Sequence, residues 1–236
     1  MKLNSRFDAE LKDLQRALED MMSLDLDCLK TIADALESER PDAALKVKEL
    51  AGEIDKSERT IEALCLRILL TRHPVASDLR RVSATLKMIT DLQRIGHQCH
   101  DFADILTEDG EPIKAYLPRL AQIADQVVEM FEGAIAACVH DDSATARGVA
   151  LEDNEVDAAY ALLRRSLAEE MRGPNQPGGD RLMDVLMLGK YLERMADHVV
   201  LLTRWIVFAA NGSRSFETAD DSLENFEEAQ EEEELK

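Results

Sequence analysis

The sequence predicts an all-α protein made of two tandem three-helix bundles, and three observations carry that expectation. Aromatic residues make up only 4% of the chain, and 236 residues hold just 10 Gly and 6 Pro, a composition that favours helices over strands. Apolar residues recur every three or four positions over long stretches, the spacing of one helical face. The pattern runs through three such stretches, breaks, and starts again, as an internal duplication would. With 45% hydrophobic residues, the chain can also bury a substantial core.

In chain order, Phe7, Leu11, Leu14, Leu18, Met22, Leu26, Leu29, Ile32 and Leu36 mark the inner face of a first helix that Pro41 ends. A second helix over 42–72 runs through Leu45, Leu50, Ile54, Ile61, Leu64, Ile68 and Leu69. Pro74 in HPVASDLRR breaks it, and Ser77 is the expected N-cap of a third helix that reaches Thr107. After the EDGEP punctuation the spacing predicts helices over 114–140 and 143–171. The loop RGPNQPGG follows, then a last helix over 180–210 closed by Asn211 and Gly212. The organisation is therefore a first repeat over 1–110, a second over 111–211, and an acidic tail over 212–236. That tail repels itself and has little apolar surface to bury, so disorder is expected there.

A formal net charge of −20 argues against nucleic acid or an anionic lipid surface as the main partner, while basic protein surfaces stay open. Cys28, Cys65, Cys99 and Cys138 are far apart and show no CxxC or zinc spacing, so they read as small buried hydrophobes in a reducing compartment. The N-terminus MKLNSRFDAELKD has no apolar stretch of the kind a signal peptide needs. The longest apolar run, HVVLLTRWIVFAA, is short and contains Arg204, so it does not span a bilayer. The segment from Val199 to Ala210, with Trp205 and Phe208, is apolar nearly all round. Burial in the core or against a second copy, a homodimer, would both account for it.

Chemistry concentrates in KYLERMADHVV at 190–200, where Glu193 and Asp197 interrupt a run that otherwise reads as core. Four residues apart, they share one helical face, and two like charges so placed repel unless Arg, Lys, water or a di- or trivalent cation lies between them. The ordinary reading is a solvated stripe beside Lys190 and Arg204. The duplication adds to it: EID at 53–55 recurs as EVD at 155–157, a shift of 102, and DLQRIGHQ at 91–98 recurs as YLERMADH at 191–198, a shift of 100. Glu155 and Asp157 come from the preceding, antiparallel helix, so Glu155, Asp157, Glu193 and Asp197 form a candidate set of hard oxygen ligands for Fe, Zn, Mn or Mg.

In the first half, Gln93 and His97 stand where the second has Glu and Asp. A neutral amide and an imidazole make a poorer oxygen cage. The candidates there are Asp55, His97 and Asp101, with Asp91 and Asp104 as further carboxylates. Arg80, Arg81 and Arg94 could suit phosphate oxygens, but surface ion pairing around Asp78 is the expectation, and nothing here argues for a phosphate sensor. A di-iron carboxylate enzyme would need Glu three residues before His. The residues three before His73, His97, His100, His140 and His198 are Leu70, Arg94, His97, Ala137 and Met195. A structural or chaperone-like bundle is the third reading.

HPVASDLRRVSATLKMITDLQRIGHQCHDFADI at 73–105 resembles the signature of the PhoU family, approximately P-V-A-x-D-L-R followed by D-L-E-R-I-G-D-H, and KYLERMADHVVLLTRWIVF at 190–208 resembles its second copy, E-R-I-A-D-H. The likeness runs over both halves, from residue 5 to residue 210. It implies a non-enzymatic cytoplasmic regulator of phosphate uptake and homeostasis. Such a protein acts as an adaptor between the phosphate ABC transporter and a sensor histidine kinase, and restrains uptake and the starvation response when phosphate is plentiful. Some members hold multinuclear metal clusters at two E/DxxxD motifs. The motif carries onto Glu193 and Asp197; Gln93 and His97 match it in position only. Leu201 and Arg204 stand where the family typically has polar residues, and the tail lies outside the resemblance.

Overall fold

The computed structural model describes residues 2–38, 43–106, 111–172 and 179–212. Six helices account for nearly all of them: α1 (Lys2–Ser38), α2 (Ala43–Arg72), α3 (Ala76–Leu106), α4 (Glu111–Val139), α5 (Ser143–Met171) and α6 (Gly179–Asn211). No strand occurs among the described residues. Pro41, most of EDGEP and RGPNQPGG, and the tail beyond Gly212 lie outside them. Gly212, at φ 84°, ends α6 by donating its N–H to the Phe208 carbonyl at 2.9 Å, the left-handed conformation that glycine adopts without a Cβ clash.

Two sequence expectations are corrected. Ser77 is not an N-cap, because α3 already begins at Ala76. His73 and Ala76, both at φ 49°, turn the chain, and the Asp78 N–H donates to the Val75 carbonyl at 3.2 Å. Leu45 is 65% exposed. The inward face of α2 is carried instead by Ala44, Val47, Ala51 and Ile54, a register that turns Leu45 to solvent.

Helices α1, α3, α4 and α6 form the inner layer, with α1 against α4 and α3 against α6. α2 flanks α1 and α3 on one side, and α5 flanks α4 and α6 on the other; among the described residues neither touches the opposite half. One hydrophobic core runs through both halves. The repeat is plain in it: Leu92 and Leu192, Ile95 and Met195, Cys99 and Val199, and Phe102 and Leu202 are pairs at a shift of 100, all fully buried. Each such side chain contributes about 1.5–3 kcal/mol by leaving water.

The four cysteines are buried, free thiols, and burial pushes Cys65 and Cys138 up to about 12. In the last helix Val199, Leu202, Ile206 and Val207 face the core, while half-buried Trp205 and Phe208 pack edge to face at 5.9 Å. Core packing thus covers one face of that apolar run and leaves Trp205 and Phe208 half-buried. Lys30 to Glu132 at 2.6 Å and Arg81 to Asp141 at 2.5 Å tie the two halves at the surface. No helix among the described residues is long and apolar enough to cross a membrane.

A carboxylate cluster on α5 and α6

In α6, Leu192, Met195, Ala196 and Val199 face the core, which leaves Glu193 and Asp197 on the flank that α5 covers. In α5, Val149, Val156 and Tyr160 take the core face. Asp153 and Asp157, one turn apart, meet the α6 pair. The meeting is visible in the electrostatics: burial, followed by the charges of Asp157, Asp197 and Glu193, pushes the Asp153 carboxyl up to about 6. Asp197 is raised by burial and by Glu193, with Asp157 adding to the effect while Lys190 and His198 oppose it. Lys190 Nζ donates to Glu193 Oε2 and lies 5.7 Å from the centre of the Tyr160 ring. Asp153 Oδ1 is buried without a hydrogen-bond partner. Four carboxylates thus gather on one flank, and Lys190 pairs with Glu193 alone.

Of the residues expected in this half, Glu193, Asp197 and Asp157 come together and Glu155 does not. Glu155 is exposed beside Glu152, because residues two apart in a helix point to nearly opposite sides. Asp153 takes its place. The signal was available, since D-N-E-V-D at 153–157 repeats the four-residue spacing of Glu193 and Asp197.

The matching station of the first half is built differently. Gln93 Nε2 donates to Asp55 Oδ1 at 2.9 Å, and His97 Nε2 lies 3.0 Å from the same oxygen. Burial pushes the Asp55 carboxyl up, but the Gln93 and His97 hydrogen bonds outweigh it and leave it below the usual value. Buried Ala51 stands where the second half has Asp153. Asp101 is not part of this station. It lies 3.8 Å from His100 Nδ1, in an exposed group on α3 with Asp104, which Lys48 holds at 2.5 Å. Asp91, nearly buried, turns toward α6, where His198 Nδ1 approaches at 3.1 Å.

The donor types of the α5–α6 cluster suit a hard cation, with oxygens from two helices and one of them buried and orphaned. Among the described residues, however, the group whose donor atoms lie within 4.8 Å of one another is His100, Asp101 and Asp104, so a cation would have to draw the four carboxylates closer. A cation does not fit the Asp55 station, whose acceptor oxygen already faces Gln93 and His97.

Fold and site together define a duplicated six-helix bundle with one carboxylate-lined station. The PhoU domain model matches this chain twice, over residues 18–106 and 120–206, and the chain belongs to the PhoU family. It is 30% identical over 214 residues to the phosphate-specific transport system accessory protein PhoU homolog of Pseudomonas aeruginosa, covering 89% of this chain and 88% of that one. With the homolog of the same name from Deinococcus radiodurans it shares 28% identity, over 90% of this chain and 100% of the other. The crystal structure of PhoU from Pseudomonas aeruginosa superposes with a TM-score of 0.81 at 28% identity, over 88% of this chain and 100% of that one. The phosphate transport system regulatory protein PhoU from Streptococcus pneumoniae shares the fold at the same TM-score, 0.81. The chain is thus a member of a family of phosphate-transport accessory proteins.

Proposed function

We propose that this protein is a non-enzymatic, cytoplasmic adaptor between a phosphate ABC transporter and a sensor histidine kinase, restraining uptake and starvation genes when phosphate is plentiful, and that its α5–α6 carboxylates hold a di- or trivalent cation. The adaptor reading is supported by the match of both halves to relatives that are accessory proteins of phosphate-specific transport. Work done through surfaces also suits a bundle in which Leu70, Arg94, His97, Ala137 and Met195 stand three residues before the histidines, where a di-iron site would place Glu. Asp153, Asp157, Glu193 and Asp197 would supply the oxygen ligands, and Lys190 would give up Glu193 or remain as a counter-charge at the rim. Such a cation would pin α5 to α6.

Deleting the gene tests the adaptor role: starvation genes should stay on in phosphate-rich medium, and normal repression there counts against it. Elemental analysis tests the cation: purified protein should carry Fe, Zn, Mn or Mg, and Glu193→Ala with Asp197→Ala should lose it. Equal metal in both samples would move the site elsewhere.

A further inference from the structure

A groove of about 620 Å³ follows α6 where it packs on α3, with α5 contributing one wall. Arg94 and Gln98 of α3, Arg194, His198 and Arg204 of α6, and Asp153 of α5 line it. Arg94 and Arg194 are the same position in the two copies of the motif, and so are Gln98 and His198. Asp91 of α3 meets His198 of α6, so by the repeat residue 98 faces residue 191, and the antiparallel helices cross near 94–95 and 194–195. Duplication therefore delivers two guanidinium groups to one crossing. Neither arginine forms an ion pair among the described residues, although the chain as a whole is strongly acidic. Arg81, by contrast, is paired with Asp141. Arg204 extends the basic wall by about 15 Å along α6 at the usual helical rise. Beside the arginines, Gln98 Oε1 is buried with no hydrogen-bond partner and leaves an acceptor facing a polar space.

We propose that this groove binds a phosphoryl oxyanion, with Arg94 and Arg194 donating to its oxygens, Gln98 accepting from a protonated P–O–H, and Arg204 meeting whatever continues beyond the first phosphoryl group. Guanidinium forks match such oxygens in a way a lysine does not. An acceptor in the wall favours phosphate, which keeps a proton near neutral pH, over sulfate, which does not. Free orthophosphate, a phosphate chain and a phosphorylated side chain share this chemistry. Asp153 and Asp197 line the same groove, and a cation on them would lower the repulsion felt by the anion. That enhancement rests on the cation reading above; the arginine contact does not.

Titration calorimetry on the full chain would compare orthophosphate, tripolyphosphate, phosphoserine and sulfate, first with chelator and then with Mn²⁺. Saturable orthophosphate binding in chelator is expected, with Arg94→Gln plus Arg194→Gln weakening it at least about tenfold, the loss of one charge-assisted hydrogen bond or more. Arg204→Gln should weaken tripolyphosphate and leave orthophosphate unchanged, and Gln98→Leu should abolish the preference over sulfate. Tighter binding of phosphoserine or tripolyphosphate than of orthophosphate would identify the source. No saturable phosphate binding in either buffer, or full affinity in the double variant, overturns the site. If the double variant does not fold, phosphate-dependent shifts of the Arg94 and Arg194 Nε–H resonances in the unaltered protein decide the matter, and their absence overturns it equally. Phosphate binding without retained metal would sink only the cation reading.

Discussion

Where α2 meets α3, Asp55 faces Gln93 and His97 and its carboxyl sits below the usual value; where α5 meets α6, Asp157 faces Glu193, Asp197 and Asp153, and Asp153 rises to about 6. The two stations occupy the same place in two copies of one plan. In the first, a neutral donor and an imidazole satisfy the single carboxylate, and the station is electrostatically closed. In the second, every exchange has added negative charge, and Lys190 pairs with only one of the four groups. The apolar pairs beneath, such as Leu92 and Leu192, are buried alike. Duplication thus preserved the packing code strictly. The half-solvated flank, where a polar change costs little, diverged.

The largest effect should come from turning one station into the other. Glu193→Gln with Asp197→His copies the first half into the second and should weaken cation binding by more than about 100-fold, since outer-shell changes alone cost about 10- to 100-fold. The reverse transplant, Ala51→Asp with Gln93→Glu and His97→Asp, should create a second cation site. Metal titration of both variants checks the pair, and unchanged binding in the first would break the contrast.

Next in size is the core beneath. Leu92→Ala and Leu192→Ala should each cost about 2–5 kcal/mol in urea unfolding, and a wide disparity would show that the halves do not share their packing as equals. Smaller again, Asp55→Ala should cost about 0.5–1 kcal/mol, the net worth of a partly exposed hydrogen bond.

A further contrast is in pH. Asp153 has a folded value raised above the ordinary aspartate range, so the metal-free fold loses stability as pH rises from about 4 toward its folded value of about 6. The melting temperature should therefore climb on acidification through that window, and Asp153→Asn should remove this part of the climb. Asp55 behaves oppositely. Its depressed value gives stability that is present above about 3.9 and lost only below it. Asp25, fully buried with both oxygens unpartnered and raised well above normal by burial, adds to the first trend, and Asp25→Asn should flatten it independently.

Much of this was legible before any coordinates. The alternation of Leu92, Ile95 and Cys99, echoed at Leu192, Met195 and Val199, is local periodicity, and a helix translates it directly into a buried face. The pairing of Glu193 with Asp197 follows from the same geometry. The repeat of EID as EVD brings Glu155 and Asp157 in together: both are polar, so no apolar period ranks them, and the same likeness passes over Asp153. Asp101 enters the first-half set only as a nearby carboxylate on the same helix, whereas the structure puts it with His100 and Asp104.

The chain alone determined the helices, their duplication, most of the buried positions, Leu45 excepted, and the acidic pair on α6, because each depends on spacing within a single helix. Only the tertiary structure decided that Asp153 rather than Glu155 completes the cluster, that Asp91 spends itself on His198, and that two arginines a repeat apart share one groove. Those outcomes depend on how each helix is rotated against its neighbour. That rotation is set by the interlocking of apolar side chains from both helices at once, which neither one's own period contains.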